Sequence, residues 1–378
     1  TKMGPMIVPP DGDLERSQKE LETGESWAVR PGRVGDNPNL WSPGVKWGVR
    51  PGSYTHMTEF FGPMLAVLRA DTLSHAIELV NQTGYGLTSG LESLDGREQA
   101  IWREQMRAGN LYINRGTTGA IVLRQPFGGM GKSAFGPGIK AGGPNYVAQL
   151  MQIRDTPTDV IPDSEVSNPD VERLRQGIVN RCKDADGDAV KGVPIADLRR
   201  VLQAVHSYDA AFESEFALQH DSVRLLGQDN HRRYLPVPFM RIRVHKDDSA
   251  FEVFAQVCAA RIAGCRITLS SPVGPRTAIL ELLDVMTDTW GGALEFVEES
   301  DEALADIVQR RQTDRIRYAS LARVPEAILR AVGDTGIYIA RAPVLAEGRV
   351  ELLWYLKEQS ISHDYHRYGN LGTRGEEE

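Results

Sequence analysis

The apolar positions of residues 59–150 switch between two periods. Met64-Leu65-Ala66-Val67-Leu68 is an unbroken apolar run of strand length, as a strand buried on both faces requires. After Asp71, a candidate N-cap, Leu73, Ala76, Ile77 and Val80 recur at i, i+3, i+4 and i+7, the spacing of one helical face. Thr83-Gly84 ends that helix, and Leu87 to Leu91 reads as a second strand. Asp95 with Glu98 three residues on predicts a capping box for a helix carrying Ile101, Trp102 and Met106, which Gly109-Asn110 stops. Leu111-Tyr112-Ile113-Asn114 is a third strand. Strands and helices alternating through short connections predict parallel βαβ units.

The flanks differ. Residues 1–58 are rich in Pro, Gly and Trp, with turn signals at 24–27, 37–44 and 50–53, and predict short strands and loops. Residues 154–170 (RDTPTDVIPDSEVSNPD) lack a periodic apolar face and predict a linker. Residues 171–232 read as helical, with Leu198, Val201, Leu202 and Val205 at helical spacing. From Phe239 onward strands and helices alternate again: strands at 239–244, 265–270, 294–298, 315–319 and 336–341, helices from Ser249, at 275–287, 301–311 and 325–332. Ser249 with Glu252 forms a second capping-box pattern. The expected fold class is therefore α/β, with parallel βαβ units followed by a Rossmann-like doubly wound domain. The expected boundaries are 1–153 for the first domain, 154–170 for the linker, 171–358 for the helical segment with the second domain, and 359–378 for a terminal segment.

Composition narrows the classes of function. The 378 residues carry 43 Lys and Arg against 51 Asp and Glu, a formal net charge of −8, so the basic footprint of a nucleic-acid partner is missing. No apolar stretch reaches the roughly 18 residues of a membrane span. Three cysteines, Cys182, Cys258 and Cys265, stand far apart without a Cys-x-x-Cys. That spacing argues against a disulfide or zinc framework and for a reducing, cytoplasmic setting. The first residue is Thr, and the chain is expected to be processed or part of a longer protein.

Several short patterns do not carry chemistry. Pro126-Phe127-Gly128-Gly129-Met130-Gly131-Lys132-Ser133 ends like a phosphate-binding loop, but Pro126 occupies the position of its first glycine. Asp184-Ala185-Asp186-Gly187-Asp188 puts glycine at loop position 4 where a calcium loop needs it at 6, and Ile195 stands in place of the bidentate glutamate. His363 and His366 form one pair without further ligands, too few for a metal site. Cys258 and Cys265 fall on or beside an apolar helix face, where cysteine is packing material.

Two longer strings are informative. Thr58-Glu59-Phe60-Phe61-Gly62-Pro63 precedes a buried strand, and Tyr112 to Val122 (YINRGTTGAIV) continues through Gln125-Pro126-Phe127-Gly128-Gly129 to Lys140-Ala141-Gly142-Gly143-Pro144-Asn145-Tyr146. Over about residues 1–153 the chain resembles the catalytic-domain half of the aldehyde dehydrogenase superfamily. Within it the likeness is to L-glutamate-γ-semialdehyde (1-pyrroline-5-carboxylate) dehydrogenases, including the module found in the bifunctional proline utilization A family. The resemblance implies NAD-dependent oxidation of glutamate γ-semialdehyde to glutamate in proline catabolism, with an FAD-dependent proline dehydrogenase module further upstream. It implies that Glu59 holds the nicotinamide ribose hydroxyls and that Phe61 packs near the nicotinamide. Gly119 and Ala120 match the loop whose backbone N–H groups take the far carboxylate of the aldehyde, and Phe127 an aromatic beside its aliphatic part.

The same likeness implies what this chain lacks. The superfamily's nucleophilic cysteine lies N-terminal to the Glu-x-Phe-Gly-Pro motif, and residues 1–58 contain no cysteine. No catalytic residue is therefore expected in this chain, and it should be inactive alone. Long members of the proline utilization A family carry a Rossmann-like C-terminal domain ending in a short signature, which Glu358 to Ser362 and Tyr365 to Leu371 resemble. Gly264 to Pro275 resembles the strand and turn that meet the adenosine ribose, with Ser270-Ser271-Pro272 replacing Lys-Pro-Ser. Losing that lysine predicts a scaffold rather than a dinucleotide site. A homo-oligomer acting on a small-molecule substrate is expected, and the rival reading is a non-catalytic scaffold or oligomerisation module.

Overall fold

Glycine and proline punctuate the first 58 residues, and the strands between them are correspondingly short. A computed structural model describes residues 6–7, 13–134, 136–156, 158, 160–185 and 187–365, and these fall into two compact units. The first holds the described residues up to 119, with 129–133 and 362–365; the second holds 120–128 and the described residues from 134 to 361. Residues 1–5 and 366–371, which belong to segments that resemble the family, and His366 of the histidine pair lie outside the described residues, as does Asp186 of the acidic turn.

In the first unit β1 (Ser26–Val29) pairs antiparallel with β2 (Gly44–Trp47), and β2 pairs parallel with β3 (Met64–Val67). The single-turn helix α1 (Tyr54–Met57) stands between β2 and β3, capped by Ser53, whose hydroxyl accepts from the His56 N–H. Helix α2 (Leu73–Gln82) is capped by Thr72 rather than Asp71: the Thr72 hydroxyl accepts from the His75 N–H at 3.1 Å. Strand β4 (Thr88–Leu91) pairs parallel with β5 (Asn110–Ile113) across α3 (Gly96–Gln105). Asp95 caps α3 by accepting from the Arg97 N–H. The predicted capping box is not formed, because the Glu98 carboxylate takes the Ser93 hydroxyl at 2.5 Å instead. Parallel βαβ pairing is present, but in two sheets: β3 joins β2, whereas β4 joins β5.

The second unit opens with α4 (Pro169–Lys183) and α5 (Ile195–Ala211). The predicted helical stretch 171–232 ends earlier, in a π-turn at Phe212–Phe216, and β6 (Gln228–Pro236) has already begun. Then follow β7 (Phe239–Arg243), α6 (Ala250–Ile262), β8 (Arg266–Ser271), α7 (Ala278–Met286), β9 (Leu294–Glu298), α8 (Asp301–Gln309), β10 (Arg315–Arg317), α9 (Glu326–Thr335), β11 (Tyr338–Ala340) and β12 (Leu356–Asp364). The strand order β9-β8-β7-β10-β11, parallel throughout, is the doubly wound arrangement the alternation predicts. Both arms of the Ser249–Glu252 capping box are present. Helix α6 is buried nearly all round, as a helix without a polar face must be.

The unit boundary differs from the expected one at 153. Residues 120–128 and 136–153 side with the second unit because β6 and β12 satisfy their polar groups. Arg124 Nε donates to Gln228 at 2.9 Å and the Ser360 hydroxyl to the Pro126 carbonyl at 2.7 Å. The Lys140 N–H donates to Glu358 at 2.9 Å, and Asn145 Nδ2 to Glu358 at 2.5 Å. Residues 154–168 contain neither helix nor strand among those described, and Asp155 accepts the Ala346 N–H on both oxygens, at 3.0 and 2.8 Å.

Two charges lie deep in this unit. Arg317 of β10 and Glu351 are fully buried and meet at 2.8 Å. Arg317 Nη1 also donates to the Ala342 carbonyl at 2.6 Å, while Glu351 accepts the Tyr355 hydroxyl at 3.0 Å and the Leu345 N–H at 3.0 Å. Each lone pair and proton so engaged offsets part of the desolvation cost. No helix among the described residues is long and apolar enough to cross a membrane.

Candidate active site

Glu59 stands in the loop from α1 to β3, so α1 determines where it points. That short helix is held by side chains on both sides. The Glu22 carboxylate accepts the Tyr54 N–H at 3.2 Å and the Thr55 N–H at 2.9 Å. Burial pushes the Glu22 carboxyl up, but these bonds outweigh it and hold it below the usual carboxylate range. Lys46 of β2 is buried, pairs with Glu25 at 3.3 Å and reaches the Thr55 hydroxyl at 3.4 Å. His56 closes the turn: Nδ1 accepts the Gly52 N–H at 2.9 Å, so Nε2 carries the proton donated to the Leu79 carbonyl at 2.9 Å.

On this base Glu59 lines two cavities, one of about 470 Å³ bordered by Val80, Tyr85 and Ser133, the other of about 410 Å³ bordered by Phe60, Phe61 and Met64. Its carboxylate is exposed and has no hydrogen bond or ion pair with any described residue. Phe61 is 84% exposed and sits at φ +48°, in the left-handed region. A phenylalanine there costs about 1–3 kcal/mol, and a ring so exposed gains little burial to offset it. Glu59 and Phe61 are thus brought to one cleft, a carboxylate acceptor beside a bare aromatic face.

Gly119 ends the first stretch of its unit, at φ +109°, a conformation glycine tolerates and side-chain-bearing residues rarely adopt. Ala120 follows, exposed, and its N–H bonds to no described residue. The loop before them is fixed by Arg115. Its guanidinium donates to the Ser362 hydroxyl at 2.6 Å and the Thr118 carbonyl at 3.4 Å, lies 3.5 Å from Asp364, and rests over the Tyr112 ring. Phe127, in the second unit, is half-buried and pairs through its backbone with Ala141 at 2.9 and 3.0 Å. The Gly128 carbonyl beside it accepts from Lys140 Nζ at 2.6 Å. Arg115 and Lys140 were not among the sequence candidates. Ser362, within the terminal signature, accepts from Arg115, but no local signal in the sequence marks that pairing.

The discarded patterns behave as structural elements. Lys132 donates to the Thr83 carbonyl at 2.8 Å and lies over the Tyr85 ring. Cys258 and Cys265 are buried in the core, and burial pushes both thiols up to about 12. A thiol so raised is a poor nucleophile. Ser270 is fully buried, accepting from Arg243 at 2.8 Å and donating to Glu299 at 2.6 Å, so it has no hydroxyl to offer a ribose.

Residues 1–156 match the model of the aldehyde dehydrogenase family. Nearly the full length is similar to a solved structure, proline utilization A (PutA) from Corynebacterium freiburgense: 34% identity, TM-score 0.69, 97% of this chain and 32% of that one. The 1-pyrroline-5-carboxylate dehydrogenase of Bacillus subtilis (strain 168) is 37% identical over 159 residues, 41% of this chain and 30% of that protein. A structure of 1-pyrroline-5-carboxylate dehydrogenase from Thermus with bound NAD is 36% identical over 31% of this chain and 22% of that chain, with a TM-score of 0.29. The chain therefore spans between about a fifth and a third of the length of these relatives.

Proposed function

We propose that this chain is the C-terminal part of an NAD-dependent L-glutamate-γ-semialdehyde dehydrogenase of proline catabolism, joined to an FAD-dependent proline dehydrogenase as in proline utilization A. Residues 1–153 supply the ribose clamp, Glu59 with Phe61, and the substrate anchor, Gly119, Ala120 and Phe127. Residues 171–378 form a scaffold that holds no dinucleotide. The observation that carries this reading is the exposed, unpartnered Glu59 carboxylate beside a strained, bare Phe61. Those two groups fit a ribose and a nicotinamide: a carboxylate accepts from two hydroxyls at once, and an aromatic face packs on a planar ring.

When bound, NAD accepts a hydride. The chain's own part is to orient. Glu59 fixes the ribose, and the N–H groups at Gly119 and Ala120 receive the substrate's far carboxylate. The attacking thiolate comes from a segment N-terminal to Thr58, so the 378 residues alone form no thioester. The test uses the enzyme encoded with its upstream sequence. Glu59→Gln should raise KM for NAD several-fold more than KM for the semialdehyde. Unchanged NAD saturation, or semialdehyde oxidation by the 378-residue chain alone, rejects the reading.

A further inference from the structure

The second unit contains a cavity of about 500 Å³ at the carboxyl ends of β7, β8 and β10. In a sheet of this order the connections leaving β7 and β10 run to opposite faces, which opens a crevice between those strands. Val244, Pro272 and Val273 form an apolar wall. Arg243, Lys246 and Tyr318 supply polar groups.

Tyr318 is the group that asks for a ligand. It is 1% exposed, and its hydroxyl has no hydrogen-bond partner among the described residues. A buried hydroxyl left unpaired costs about 1–3 kcal/mol. Its electrostatic neighbours are Arg243, Asp301 and Glu299, the first two of which line the cavity. Burial pushes the phenol well above its ordinary range, so it stays an O–H donor at neutral pH.

The charges define the ligand further. Arg243 is engaged by Ser270, the Glu299 carbonyl and Asp301, and Arg323 by Asp248 and Glu252. Lys246 is exposed and has no partner among the described residues. One uncommitted cation, one buried donor and an apolar wall suit a molecule with a single anionic group and a flat, weakly polar body. The volume lies in the range of small-molecule pockets and exceeds what an inorganic anion needs. The Ser270-Ser271-Pro272 turn and the absence of a Gly-x-Gly-x-x-Gly leave a pyrophosphate without its cradle.

We propose that this crevice binds a small organic phosphate of mononucleotide size, its phosphate at Lys246, its body along Val244, Pro272 and Val273, and Tyr318 donating to it. Calorimetric titration of the 378-residue chain with AMP, adenosine and inorganic phosphate tests this. AMP should saturate one site at least about tenfold more tightly than adenosine, and phosphate should compete with it. Tyr318→Phe should weaken AMP by about tenfold, the value of one hydrogen bond. Lys246→Glu, at an exposed position that leaves the core intact, should weaken AMP at least as much, and decides the matter if Tyr318→Phe does not fold. Absent AMP saturation, equal affinity for adenosine, or AMP affinity unchanged in Lys246→Glu overturns the proposal.

Discussion

Replacing Gly119 by valine in the enzyme with its upstream sequence separates anchoring of the substrate from the chemistry. At φ +109° a β-branched residue meets about 1–3 kcal/mol of backbone strain, which the chain relieves by turning the 119–120 peptide. Arg115 prevents the preceding residues from following, because Ser362 and the Thr118 carbonyl hold it. The N–H groups then leave the position of the substrate's far carboxylate. Hydrogen bonds to a charged group contribute about 1.5–3 kcal/mol, so KM for glutamate γ-semialdehyde should rise about 10- to 150-fold. Propanal has no carboxylate and should keep its KM within about a factor of two. The assay is initial-rate NAD reduction with each aldehyde over a full saturation curve. Equal rises for both aldehydes would refute the anchor, since they would report a general distortion.

Other consequences can be measured on the 378-residue chain. Glu351→Gln leaves Arg317 buried without its counter-charge and should cost about 3–5 kcal/mol, whereas replacing both Glu351 and Arg317 with apolar residues of similar volume should cost less than either alone. Hydrogen exchange at α6 amides reports this opening. Burial pushes Lys140 down to about 7, against a weaker pull from Glu358. Between that value and the ordinary lysine range the unfolded chain binds more protons, so this group's contribution to stability rises with pH. Wild type should therefore gain on Lys140→Met from pH 7 to 9.5 in urea melts, and a constant difference would remove the assignment. Phe61→Gly relieves a left-handed phenylalanine that is 84% exposed and should hold or raise the Tm of the first unit; a drop of several degrees would show that the ring is structurally needed.

The second unit was largely legible because α6, β7, β8 and β9 obey local rules: a capping box, strands that alternate apolar and polar positions, and short connections. Strand 294–298 falls where its alternation places it. What was not legible depends on partners distant in sequence. Nothing in Met64–Val67 says that it pairs with Gly44–Trp47 rather than Thr88–Leu91, since an apolar run fits either edge. Asp71 and Thr72 are both competent caps, and only the backbone at Thr72 is extended in the required way. Arg315-Ile316-Arg317 reads as a strand with one wet face, yet both arginines are buried because carbonyls and Glu351 receive them. At the candidate site Glu59 and Phe61 share one short motif, whereas Arg115 is held by a hydroxyl 247 residues away, which no local pattern encodes.

That bond has a consequence for biosynthesis. Arg115 and Ser362 are 247 residues apart, so a ribosome releases the loop before Gly119 long before it makes the hydroxyl that fixes it. At roughly 5–20 residues per second, the nascent loop waits on the order of ten seconds or more without its clasp. A protein assembled this way fastens the loop before Gly119 only as β12 emerges, and a ribosome that stalls short of residue 362 yields a chain whose loop is unfastened.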